Sequence, residues 1–181
     1  MIQHDSFYKG GGMDFQVGDK VVYPNQGVGT VEQISSRNLT GQTETYYLLK
    51  LNANGMRVMV PMTNVTTVGL RRVARIREVG TVFEYLNNSH INPQGDWKGR
   101  FKQNSEKMRS GSLLQVAEVF KALLVLSQAK PLSFREKKML DRSWQLLVDE
   151  ISVARGVTRE AVGEELLCTL AKSNLKITLP S

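Results

Sequence analysis

The stretch Glu44-Thr45-Tyr46-Tyr47-Leu48-Leu49-Lys50-Leu51-Asn52-Ala53-Asn54-Gly55-Met56-Arg57-Val58-Met59-Val60 holds two short apolar runs on either side of Asn54-Gly55. Asn and Gly both tolerate the positive φ of a tight turn, so Glu44 to Leu51 and Met56 to Val60 are predicted to pair as an antiparallel hairpin. In the second run the pleat puts Met56, Val58 and Val60 on a core face and Arg57 and Met59 on the opposite one. Upstream, Lys20 to Tyr23 and Gly27 to Ile34 read as two further strands, joined by the turn Pro24-Asn25-Gln26-Gly27, with Thr40-Gly41 turning the chain into the third. Val65 to Leu70 reads as a fifth. Five short antiparallel strands are too few for a sandwich and suit a small SH3-like or Tudor-like barrel.

After Leu70 the apolar period changes from two to about 3.6, the helical value. Asp96 is placed to cap a helix beginning at Trp97, and Ser112-Leu113-Leu114-Gln115 and Ser133-Phe134-Arg135-Glu136 both match the capping box. Val116, Phe120 and Leu123 recur at helical spacing, as do Leu140, Trp144, Leu147, Ile151 and Ala154, and both stripes are predicted core faces. Gly156 ends the long helix and Thr158 caps a last one. The expected class is α+β: residues 1–12 a flexible leader containing Gly10-Gly11-Gly12, 13–70 the β-barrel, 71–77 a linker, and 78–181 a compact bundle of about five helices.

The 181 residues carry 24 Lys and Arg against 17 Asp and Glu. Residues 1–70 contain five of each sign, which leaves 19 basic and 12 acidic groups in the remainder, so the whole excess lies in the helical half. A neutral module joined to a basic one suggests a protein-binding part and a part that approaches a polyanion, although a merely solvated basic surface fits the same count. No apolar run reaches the roughly 20 residues of a membrane span. The first residues lack a signal-peptide core, which points to a cytoplasmic protein.

Catalysis finds little support. Cys168 stands alone, and His4 and His90 supply neither a triad nor a metal set. The carboxylate pairs Asp149-Glu150 and Glu164-Glu165 are sequence neighbours that diverge by about 100° on a helix. Gly27, Gly29 and Gly41 lack phosphate-loop spacing. The expectation is a binding protein with no cofactor, no metal and no small-molecule substrate.

The cations say more. Trp97-Lys98-Gly99-Arg100-Phe101-Lys102 sets an aromatic ring among positive charges, and Lys107 and Arg109 continue the run. An apolar ring with cations around it suits contact with bases or a minor groove while the charges hold phosphates; packing of Trp97 into the bundle is the other reading. Arg135, Lys137, Lys138 and Arg142 lie in the first turns of the long helix, where positive charge opposes the helix dipole and does not serve local stability.

Val17-Gly18-Asp19-Lys20-Val21-Val22-Tyr23-Pro24-Asn25-Gln26-Gly27-Val28-Gly29, Met59-Val60-Pro61, Val68-Gly69-Leu70-Arg71, Asp96-Trp97-Lys98 and Leu132 through Leu140 closely resemble the CarD/CdnL family of bacterial transcription regulators. The resemblance implies a Tudor-like domain that docks on the RNA polymerase β subunit and a helical domain that contacts promoter DNA largely without sequence readout. It implies that Trp97 wedges into the minor groove at the upstream edge of the transcription bubble and favours the open complex. Arg100 and Lys102 would then contact phosphates, with Lys137, Lys138 and Arg142 assisting. On the polymerase side Arg37 matches a contact residue of the family; Met59 stands where some members have a basic residue, and Arg57 on the same face could substitute. A monomer is expected. The rival is an RNA- or ribosome-associated basic factor, which a neutral barrel does not favour.

Overall fold

The computed structural model describes residues 14–39, 41–88, 97–173 and 175, without the side chains of Leu39, Trp97 and Lys98. The leader through Met13, Thr40 of the second turn, His90 and the Asp96 cap lie outside the described residues.

Four strands run in sequence: β1 (Lys20–Tyr23), β2 (Gly27–Leu39), β3 (Gln42–Leu51) and β4 (Arg57–Pro61). After a 3-10 turn at Met62–Asn64 and one turn of helix, α1 (Val65–Val68), the chain returns as β5 (Arg71–Arg72). The sheet is antiparallel, in the order β4-β3-β2-β1-β5. Among the described residues no pairing joins β4 to β5, so the Tudor-like sheet is not closed by its ladder. The β3–β4 hairpin forms as predicted, with Lys50 opposite Arg57, Gly55 at φ 68° and the Asn54 side chain accepting from the Met56 amide at 3.0 Å.

Val65 to Leu70, read from sequence as a strand, is instead mostly helical, with Gly69 ending α1 at φ 74°. A six-residue apolar run lacks the length to distinguish strand from helix by periodicity. The fifth strand is Arg71–Arg72, within the stretch assigned to the linker, and it pairs with Val21 and Val22. Met56 is a second correction: it precedes β4 and is exposed, so Val58 and Val60 alone turn inward from that run. The inner face of the sheet packs Val21, Val31, Tyr47, Leu49 and Val60 with Phe15, Val65 and Leu70.

Among the described residues five helices follow: α2 (Ile76–Asn88), α3 (Trp97–Ser110), α4 (Leu113–Ala129), α5 (Phe134–Arg155) and α6 (Arg159–Lys172). The starts of α4, α5 and α6 follow the capping chemistry in the sequence. Ser133 and Glu136 form a reciprocal capping box, Ser112 accepts from the Gln115 amide, and Thr158 accepts from the Ala161 amide. One core unites Val82 and Leu86 of α2, Phe120 and Leu124 of α4, Trp144 and Leu147 of α5 and Leu166 of α6. Trp144 is thus a core residue, its ring 5.5 Å from that of Phe120.

The β1–β2 turn is pressed into the helical part. Pro24 is buried, and a Cβ on Gly111 would lie 2.9 Å from its ring. Gly27, at φ 97°, lies beside Leu146 of α5.

Candidate nucleic-acid and partner interfaces

The first turn of α3 meets the first turn of α5 through one carboxylate. Glu136 Oε2 accepts from the Ser133 amide (2.9 Å) and hydroxyl (2.7 Å), while its Oε1 lies 4.0 Å from Nη2 of Arg100. Burial disfavours the Glu136 carboxylate, but the Ser133 hydrogen bonds and the charges of Arg100 and Lys130 outweigh it and hold the carboxyl below its usual range. The residue that caps α5 therefore also anchors α3.

This contact unites two cationic segments that lie over 30 positions apart in sequence. Phe101, Met108 and Met139 line a groove of about 700 Å³ with Arg109, Arg135, Lys138 and Arg142. Lys102, Lys137 and Lys138 are exposed. Arg100 is largely buried, with its side chain 15% exposed. Lys107 is engaged with Glu118 on α4 at 2.7 Å. Arg142 is half-buried and donates from Nε (3.1 Å) and Nη2 (2.8 Å) to the carbonyl of Asn25, so its guanidinium holds the β1–β2 turn. Trp97 opens α3, and its indole lies outside the described residues.

On the sheet, the register gathers the other candidates. Met59 stands opposite Leu48, Leu48 opposite Gln33, Arg57 opposite Lys50, and Arg37 opposite Glu44. Strand alternation then places Arg37, Arg57 and Met59 on one face, opposite the face of Tyr47, Leu49 and Val60. All three are exposed. Arg57 donates to both carboxylate oxygens of Glu32, at 2.6 and 3.2 Å, which draws the Glu32 pKa down and raises that of Arg57. Arg37, opposite Glu44, lies six β3 positions from Arg57, opposite Lys50, so the two are roughly 20 Å apart along the ladder.

Sheet and bundle are tied at Arg71. Its Nη1 and Nη2 donate to the two oxygens of Glu150 at 2.6 and 2.8 Å, and its Nε donates to the carbonyl of Gly111 at 2.6 Å. Glu150 also accepts from the Ala74 amide at 2.9 Å.

Known families match the sequence in two parts. The family model described as CarD-like/TRCF RID domain matches residues 15–74, and that described as CarD, C-terminal domain matches residues 81–167. A Bacillus subtilis (strain 168) protein with the provisional name transcription factor YdeB is 30% identical over 151 residues, covering 82% of this chain and 97% of its own. The chain belongs to the CarD/CdnL family. Solved structures of CarD/CdnL N-terminal domains are also similar. CdnLNt from Myxococcus xanthus is 46% identical, over 34% of this chain and 86% of that one, with a TM-score of 0.30. The 72-residue N-terminal domain of Myxococcus xanthus CarD is 36% identical, over 37% and 93%, with a TM-score of 0.28.

Membership in the CarD/CdnL family makes this a transcription-associated factor. Among the described residues no three His, Cys, Asp or Glu side chains group as metal ligands, and no helix is long and apolar enough to cross a membrane. Two features of this CarD/CdnL chain escape sequence reasoning. One is the Arg71–Glu150 tie, which has no local signature. The other is Phe134, 72% exposed at the head of α5. Its signal is an apolar residue inside a capping box whose neighbours are all polar.

Proposed function

We propose that the chain docks on the β subunit of RNA polymerase through the sheet face bearing Arg37, Arg57 and Met59. We further propose that it stabilises the promoter open complex by setting Trp97 as a wedge in the minor groove at the upstream edge of the bubble. Lys102, Lys137 and Lys138 hold the flanking phosphates, and Arg100 fixes the turn that carries Trp97. The protein works as a monomer, without cofactor or chemistry of its own, and with little base readout.

The observation that supports this most is the Arg100–Glu136 contact, which brings the helix opened by Trp97 against the exposed cations of α5. A wedge shifts the closed-to-open equilibrium only by its preference for distorted over closed DNA, about tenfold per 1.4 kcal/mol. Docking raises the effective concentration of the wedge at the bubble, so weak and salt-sensitive binding to free DNA suffices. The Arg71–Glu150 and Arg142–Asn25 contacts shorten and stiffen that tether.

The test is Arg37→Glu. It is expected to weaken capture by RNA polymerase while leaving binding to free promoter DNA unchanged. Unaltered capture removes Arg37 from the docking face.

A further inference from the structure

Phe134 is the most exposed large apolar residue among the described residues, at 72%. It is the first residue of α5, and nothing in the core draws on it. Lys138, one turn later, holds its Nζ 4.6 Å from the ring centroid, so the ring remains open to solvent even with a cation over one side. Lys130, Arg135 and Lys137 are exposed around it. Glu136, the acid of this turn, is buried and committed to Ser133 and Arg100, and beyond these its charge acts on Lys130. A cleft of about 640 Å³ runs beside the ring, lined by Lys130 through Glu136.

An exposed ring usually costs solubility, and cations in the first turn of a helix oppose its dipole. Both become favourable against a ligand that offers flat π-faces and a repeating negative charge. Unpaired nucleotides do so: a base stacks on an aromatic ring while adjacent phosphates meet the cations. A closed duplex hides its base faces and offers only the charge.

We propose that Phe134 is a second aromatic contact for nucleic acid, a stacking platform for an unpaired base of melted promoter DNA, with Lys130, Arg135 and Lys137 on the neighbouring phosphates. This rests on the open-complex reading above and adds to it: Trp97 props the edge of the bubble, and Phe134 captures a base already released. Lys138 lies over the ring, so its charge polarises the platform as well as attracting phosphate.

The experiment uses the full chain and fluorescein-labelled DNA of one sequence in two forms, a closed duplex and a duplex with a central mismatched bubble, with affinities read by anisotropy at fixed salt. Phe134→Ala is expected to lose about tenfold in affinity for the bubble and to keep its affinity for the duplex. Phe134→Trp is expected to retain the preference, and Phe134→Leu to lose it as Ala does. The exposure of Phe134 makes all three variants compatible with the fold, and a thermal melt checks this. Bubble binding by Phe134→Ala equal to wild type overturns the proposal, and so does full retention by Phe134→Leu. If Trp97→Ala still loses bubble binding in that case, the wedge reading stands without the platform. If neither variant changes binding, both are overturned.

Discussion

Arg71 and Glu150 form a two-pronged ion pair, at 2.6 and 2.8 Å, between the last strand of the sheet and the middle of helix α5. The carboxylate is 5% exposed and the guanidinium 21%, so neither group is well served by water when its partner is gone. Removing one member of a buried pair strands the other charge, at a cost of about 3–5 kcal/mol. Arg71→Ala is therefore expected to lower the melting temperature by roughly 6–20 °C for a chain of this size. It should also increase protease cutting between sheet and bundle. A melt within 2 °C of wild type would show that the pair does not hold the two parts together.

The close approach of Pro24 to Gly111 gives a second, steric check on the same junction. Gly111 has φ 73° and no room for a side chain, since a Cβ would lie 2.9 Å from the Pro24 ring. Gly111→Ala combines left-handed strain with a clash against a stiff ring, and each is worth about 1–3 kcal/mol. Chemical denaturation should show a lower midpoint. Gly156→Ala has comparable strain but nothing within 4 Å, and should cost less.

Glu136 links stability to acid. Its folded pKa is depressed relative to the ordinary 4.5, so its contribution is fully present above that value and is lost as pH falls through the lower, folded one. Wild type should therefore lose stability on acidification below about pH 4.5 more steeply than Glu136→Gln, in melts followed by circular dichroism. Parallel curves for the two proteins would contradict this. Ser133→Ala, which removes the hydroxyl half of the cap, is expected to cost about 1 kcal/mol at neutral pH.

Lys121 counts toward the basic excess but is not available to DNA. It is 1% exposed, with its Nζ donating to the carbonyls of Tyr85 and Leu86 at 3.1 and 2.8 Å, where it closes the C-terminal end of α2. Burial lowers its pKa below the ordinary 10.5. Its folded pKa is the lower one, so the stability it withholds at neutral pH returns as pH rises from that value toward 10.5. Lys121→Met keeps the stem but removes the Tyr85 carbonyl's donor, while the Leu86 carbonyl retains the Ser173 hydroxyl at 3.1 Å; the expected cost is about 1–3 kcal/mol, with DNA affinity unchanged. Weakened DNA binding by a folded Lys121→Met would contradict this assignment.

The elements that local chemistry decides were legible in the sequence. Asn54-Gly55 announces its hairpin, and Ser112, Ser133 and Thr158 announce three helix starts. Where tertiary contacts decide, the sequence was silent. Val65 to Leu70 has the composition of a strand, yet Gly69 closes it as a helical turn that buries Val65 and Leu70. Arg71 and Arg142 look like free cations because their partners, Glu150 and the carbonyl of Asn25, are 79 and 117 positions away. The same distance effect hides the meeting of α3 with α5. The roles proposed for Trp97 and Arg37 come from the resemblance; Phe134 has a sequence signal in the polar capping box around it, but its exposure is decided by how α5 packs.

In the proposed function, Trp97 and the cations beside it hold melted DNA open while the sheet holds polymerase. The lifetime of the promoter open complex, measured with RNA polymerase after addition of a competitor, tests this most directly. Wild-type protein is expected to prolong it, and Trp97→Ala to lose that effect while still co-purifying with polymerase. An open-complex lifetime unchanged by Trp97→Ala would rule out Trp97 as the wedge.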